Sequence, residues 1–181
     1  MNGFALKDIQ AIDVRGTSLD RNGFSEERVR QSVLAILDSN VLCSIATVTP
    51  DGRAHVNTAY FSYSDKLELY FLSHTGSLHC RSLLSNSSMA VTVFASRQQW
   101  TDPGRGVQLF GACEETSGFS AEEAKRSYRR RFQAYENWKT NLKNDDLARQ
   151  YRFYRFNVAT VKILDEKNLG DAVFVRALVV R

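Results

Sequence analysis

The chain has 181 residues, enough for one domain with a continuous core and few for two. Hydrophobic residues at 43% and charged residues at 24% are the balance of a soluble globular protein, and no apolar run is long enough to span a bilayer. The net charge of +4 is only mildly basic, and much of the excess lies in Lys125, Arg126, Arg129, Arg130 and Arg131.

The opening MNGFALKDIQAIDVRG lacks the basic-then-apolar order of a signal peptide, so the expected compartment is the cytoplasm. Residues 1–24 show weak periodicity and read as an arm lying across the body or a partner, with the main domain spanning 25–181. Ser25 caps a predicted helix whose first turn carries Glu26 and Glu27, and Val29, Val33, Ile36 and Leu37 give it an apolar stripe ending near Asn40.

Val41–Thr49 reads as a strand, turned by Pro50, Asp51 and Gly52 into a second one. That second strand places Arg53, His55, Asn57, Ala59 and Phe61 on one face and Ala54, Val56, Thr58 and Tyr60 on the other. Neither face is purely apolar. A strand beside a polar ligand has this pattern, and so does a strand exposed on one side. In Lys66–Leu72 the residues Leu67, Leu69 and Phe71 alternate with Lys66, Glu68 and Tyr70, the pattern of a half-buried strand.

Ser73 to His79 then packs three hydroxyls, two imidazoles and a glycine between that strand and a short predicted helix ending at Leu83 or Leu84. Free backbone amides, hydroxyl donors and a helix dipole at such a junction suit a phosphate, and a capped helix after an ordinary polar loop has the same composition. Met89–Ala95 and Gly106–Glu115 are predicted strands around the loop Ser96–Arg105. Gly111 interrupts the second, where a missing side chain marks a bulge, a barrel corner or the approach of a ligand.

Ser120-x-x-Glu123 has the spacing of a capping box and opens a predicted helix with Ala124, Tyr128 and Phe132 on one stripe and the arginines elsewhere. A further helical piece is predicted over Asp145–Tyr151, followed by strands Phe153–Leu164 and Ala172–Val180. About seven strands with short connections predict a mainly β fold, an antiparallel six- or seven-stranded barrel flanked by helices.

Cys43, Cys80 and Cys113 form no metal-ligand spacing, and Cys43 and Cys113 fall in strands as small apolar core groups. No metal site is predicted. Phosphate-loop, dinucleotide-fingerprint, zinc-protease and nucleophile-elbow motifs are all absent. His55, His74 and His79, the only three histidines, all lie on or beside the candidate cleft strands.

The runs LCSIATVTPDGRAHVNTAYF, LELYFLSHTGSLHCRSLLSNSSMAVTVF and GVQLFGACEE, following the helix at 25–40, resemble the FMN-binding split barrel of the pyridoxamine 5′-phosphate oxidase type over about residues 25–133. RGVQLFG followed by YRRRF resembles a small bacterial branch of that superfamily. The resemblance implies a homodimer with flavin between the subunits. It places His55, Val56, Asn57, Thr58 and Ala59 along the flavin ring, Ser73, Ser77, Leu78 and His79 at the ribityl chain and phosphate, and Gln108 on a strand near the ring.

Where the family has arginine then lysine after the junction serine, this chain has Leu78 then His79, and Asn57 stands for a ring-strand arginine. No C-terminal R-x-H constellation for pyridoxal phosphate is present, so vitamin B6 oxidation is not expected. The implied function is an FMN-dependent two-electron oxidoreductase acting on an unidentified small molecule. Haem or deazaflavin in the same barrel, with an axial imidazole in the haem case, is a second reading. A nucleic-acid or polyanion binder using the basic helix is a third, against which stands the commoner case of a solvated face paired with acids.

Overall fold

The computed structural model describes residues 3–20, 23–141 and 148–181. Its strands are β1 (Ala5–Ile12), β2 (Leu42–Val48), β3 (Ala54–Tyr63), β4 (Glu68–His74), β5 (Ser88–Phe94), β6 (Arg105–Glu115), β7 (Tyr151–Asp165) and β8 (Phe174–Val180). All pairings are antiparallel, in the order β1-β8-β7-β4-β3-β2-β5-β6, and a further β6–β7 ladder closes six of them into a barrel.

The long β7 makes this closure possible. Its first half, Tyr151–Asn157, pairs with β4, its second half, Thr160–Leu164, pairs with β8, and β6 pairs with it from Tyr154 to Asp165. Residues 1–24, read from sequence as an arm, include β1, which extends the sheet beyond β8; Leu6 on this strand and Phe4 just before it enter the core. The barrel interior is filled by alternate side chains such as Ile45, Phe61, Val91, Leu109, Phe156 and Val161, as the two-residue period of paired strands requires.

Helix α1 (Glu26–Asp38) buries the expected stripe Val29, Val33, Ile36 and Leu37, and Ser25 Oγ accepts from the Arg28 amide at 3.3 Å. Helix α2 (Leu78–Ser85) drops Cys80 and Leu83 into the barrel core. Helix α3 is Gly118–Arg131, so the box at Ser120–Glu123 is a misreading: the chain turns three residues earlier, and the Ser117 amide donates to Ser120 Oγ at 3.1 Å. Glu123 lies within the helix and pairs with Arg126 at 3.8 Å.

Helix α4 (Tyr135–Asn141) has no counterpart among the elements predicted from sequence, and of the predicted Asp145–Tyr151 helix residues 145–147 lie outside the described residues. The remainder is a single 3-10 turn, Ala148–Gln150, and Tyr151 already belongs to β7. A short helix α5 (Glu166–Leu169) joins β7 to β8.

β4 departs from its predicted half-exposed pattern: Glu68 and Tyr70 are buried along with Leu69 and Phe71. Helices α3 and α4 cover this outer face with Ala124, Tyr128 and Tyr135, forming a second apolar cluster with Tyr70 and Phe153. Glu68 is satisfied there by hydroxyls, accepting from Ser64 at 3.1 Å and Tyr70 at 3.0 Å, with Arg155 at 3.5 Å. Cys43 and Cys113 are core groups as expected, and burial pushes the Cys43 thiol up to about 12.

Candidate functional site

The strand-to-helix junction forms because β4 ends at His74 and Ser77, in extended backbone, caps α2 with its side chain on the Cys80 amide at 3.4 Å. Strand parity turns Ser73 inward with Phe71, and one helical turn brings His79 back over it. His79 Nε2 lies 2.7 Å from Ser73 Oγ and 3.1 Å from Ser77 Oγ. The His55 ring stacks on His79 from β3, with centroids 6.3 Å apart and planes 7° from parallel.

Burial, reinforced by the neighbouring His55, lowers the His79 pKa below its ordinary 6.5, so the imidazole is neutral at pH 7. The amides of Leu78 and His79, at the positive end of α2, have no acceptor among the described residues. Ser73, Ser77, Leu78 and His79 thus present hydrogen-bond donors and a dipole to an anion, but no fixed cation. Nearby inward-facing polar atoms are also unsatisfied: Asn57 Oδ1 and, on the neighbouring strand, Thr47 Oγ1 are buried without partners. Thr47 has no distinguishing mark in the sequence, since its role depends on the β2–β3 register that sets it opposite His55.

The remaining expected residues divide between two surfaces. His55, Asn57 and Ala59 face inward and are half-buried, while Val56 and Thr58 face outward and are exposed. Gln108 is also exposed on the outer face, opposite Thr92 on β5 and Lys162 on β7. The structure does not bring it to Ser73 and His79 within one chain. His74 is separate too, edge-on to Tyr151 and accepting the Gly76 amide at 3.0 Å.

The outer face carrying Val56 is unusually apolar. The cross-strand register lines up Val56, Ala46, Ala90 and Phe110 in one row over four strands, with Tyr60 and Leu42 paired beyond it. Val56 is 63% exposed and Tyr60 58%.

The basic stretch on α3 is largely engaged. Arg129 pairs with Glu136 and Lys125 with Glu122, while Arg131 donates to the carbonyls of Leu37 and Asn40 beneath the rings of Phe61 and Tyr63. Among the described residues there is no group of His, Cys, Asp and Glu able to hold a metal ion. No helix among them is long and apolar enough to cross a membrane.

Comparison with known proteins places this geometry in a family. A family model described as pyridoxamine 5′-phosphate oxidase matches residues 29–165. The chain belongs to the pyridoxamine 5′-phosphate oxidase family. Three solved structures have a similar fold. A heme-binding protein from Mycobacterium smegmatis has a TM-score of 0.64 at 13% identity, over 87% of this chain and 59% of that one. A protein of unknown function from Agrobacterium tumefaciens has a TM-score of 0.61 at 16% identity, over 80% and 59%.

A Clostridium acetobutylicum protein related to general stress protein 26, of the pyridoxinephosphate oxidase family, has a TM-score of 0.58 at 12% identity, over 78% and 91%. The match therefore spans about three-fifths of the first two proteins. No curated protein matches the sequence. In this chain the family's barrel sets a strand-to-helix junction, built by Ser73, Ser77 and His79, beside an inward-facing polar lane of His55 and Asn57.

The neutral state of His79 has a measurable consequence. The unfolded chain binds a proton at this histidine near pH 6.5 and the folded chain only below that, so stability is full above about 6.5 and is lost as pH falls. His79→Gln is expected to flatten the pH 5–7 arm of the melting-temperature profile, and an unchanged slope would assign that titration to another group.

Proposed function

We propose that the protein binds FMN and acts as a two-electron oxidoreductase on a small molecule, working as a homodimer. The observation that carries this reading is the anion-ready end of α2, where the Leu78 and His79 amides stand free beside the Ser73 and Ser77 hydroxyls. These groups fit a phosphate that is held by hydrogen bonds and the helix dipole. The unsatisfied Asn57 Oδ1 faces the same interior and fits a polar ring edge. FMN, when bound, supplies the hydride chemistry, and this chain supplies position, hydrogen bonds and exclusion of water.

The second subunit enters through the apolar row of Val56, Ala46, Ala90 and Phe110, whose ends, Val56 and Phe110, are exposed. A contiguous patch of this kind marks a partner surface. On this reading Gln108 serves the flavin of the other subunit, because in its own chain it lies on the outer face.

The test is FMN uptake by the purified protein, read from its visible spectrum and from its mass in solution. The expected result is one flavin per chain in a dimer, with Val56→Arg giving a folded monomer that has lost the flavin. A dimer that takes up no FMN overturns the cofactor assignment. A Soret band on haemin, lost on substituting His55, would replace it with haem binding, which the stacked His55–His79 pair otherwise makes the second reading.

A further inference from the structure

A cavity of about 470 Å³ opens on the opposite side of β4 from the Ser73–His79 junction, between α3, α4 and the start of β7. Strand parity separates the two places, since Ser73 points inward and Leu72 lines this outer cavity. Its walls are aromatic. Trp138 stacks on Tyr135 with centroids 6.1 Å apart, meets Tyr151 edge-on at 5.7 Å, and remains 39% exposed.

Lys125, Lys139, Arg149 and Arg152 also line it, and no carboxylate does among the described residues. The larger cavity beneath Trp100 is different, because Asp102 and Glu166 there offset Arg105 and Lys162. Part of the charge around Trp138 is already engaged: Lys125 bonds Glu122 at 2.6 Å, Arg152 lies 3.6 Å from Glu115, and Arg149 has a partner of its own. Lys139 makes no ion pair among the described residues.

We propose that this cavity binds a small aromatic phosphate of mononucleotide size. A planar ring would stack in the aromatic wall, where such contacts tolerate different bases. The phosphate would meet lysine and arginine donors, whose hydrogen bonds to an anion are the strong ones. The volume falls in the range of small-molecule sites. Covering Trp138 would remove an exposed indole that the fold leaves open to solvent.

The experiment is isothermal titration of the full chain with AMP, GMP, CMP and UMP, each beside its unphosphorylated nucleoside. At least one nucleotide is expected to bind saturably with Kd below about 1 mM. Its nucleoside, and the Lys139→Glu variant, are each expected to bind about tenfold more weakly or worse. Lys139 is exposed and makes no ion pair among the described residues, so Lys139→Glu should fold, and an unchanged melting temperature checks this. Trp138→Phe keeps a smaller aromatic wall and is expected to weaken binding less than Lys139→Glu.

Ser77→Ala separates this site from the α2 junction: it should impair FMN uptake and leave nucleotide binding unaltered. The proposal is overturned if none of the four nucleotides saturates, if Lys139→Glu binds as tightly as the parent, or if Ser77→Ala abolishes the binding.

Discussion

Replacing Gly111 with alanine is expected to destabilise the protein by about 3 kcal/mol or more, the upper range for forcing a methyl group into a filled site. For a chain of this size that corresponds to a melting temperature lower by about 6–12 °C. A Cβ at Gly111 would stand 2.0 Å from the Asn157 carbonyl oxygen and 3.0 Å from its carbon, both backbone atoms of β7. No rotamer change relieves such a contact. The β6–β7 register jumps here, from Phe110 opposite Thr160 to Gly111 opposite Val158, leaving Ala159 as the extra residue of a bulge.

That bulge lies where β7 passes from its pairing with β4 to its pairing with β8, so the clash falls on the seam that closes the barrel. Gly52 gives the contrast: it sits at φ +81°, and a methyl group added there would meet nothing within 4 Å, so Gly52→Ala should cost only the left-handed backbone penalty of about 1–2 kcal/mol. Thermal melts of both variants check the ranking. A Gly111→Ala protein as stable as Gly52→Ala would mean that β7 moves aside freely, which the β6–β7 pairing on both sides of the bulge opposes.

Gly111 also shows what the sequence discloses and what it withholds. A glycine in the middle of an apolar strand announces a bulge, a corner or a ligand, but choosing between them needs the identity of the partner strand, which lies far along the chain around Asn157. The same boundary explains β4. Its alternation reads correctly for Leu69 and Phe71, whose burial is set by the barrel, and wrongly for Glu68 and Tyr70, which are covered by helices that the local pattern cannot place. β1 escapes for a similar reason, since its strand character comes from β8 at the far end of the chain.

The junction is the most legible part of the candidate site because its groups are close in sequence: Ser73, Ser77 and His79 meet within one turn of chain. Its chemistry is less so. That His79 Nε2 lies within hydrogen-bond reach of both hydroxyls, and that burial and His55 lower its pKa, depends on the way α2 folds back over the barrel end. Gln108 can be assigned to a strand but not to the junction, and the side of the sheet it occupies makes a second subunit necessary to the flavin reading.

Arg105→Met is expected to cost about 3–5 kcal/mol at neutral pH, the range for removing one partner of a buried ion pair. Arg105 grips Asp165 with two nitrogens, Nε to Oδ1 at 3.0 Å and Nη2 to Oδ2 at 3.2 Å, and the Asp165 side chain is wholly buried. Burial alone would raise the Asp165 pKa. Hydrogen bonds from Arg105 and Asn168, with the charge of Arg105, outweigh it and hold the carboxyl below its ordinary 3.8.

In the parent, the pair therefore contributes stability that is complete above pH 3.8 and is lost as pH falls through the folded-state pKa. In Arg105→Met the balance reverses. Burial then dominates, the Asp165 pKa rises above its unfolded value, and the penalty of the unpaired carboxylate shrinks as acid protonates it. The gap between parent and variant should accordingly narrow from about pH 7 to about pH 4, and adding Asp165→Asn should recover much of the loss at neutral pH.

Parallel stability curves across that range would show that the variant harms packing and not charge. The outcome bears on function because the pair ties the start of β6, the strand that carries Gln108, to the end of β7. A loosened clamp at that point should free the outer edge of the face through which we propose the subunits meet.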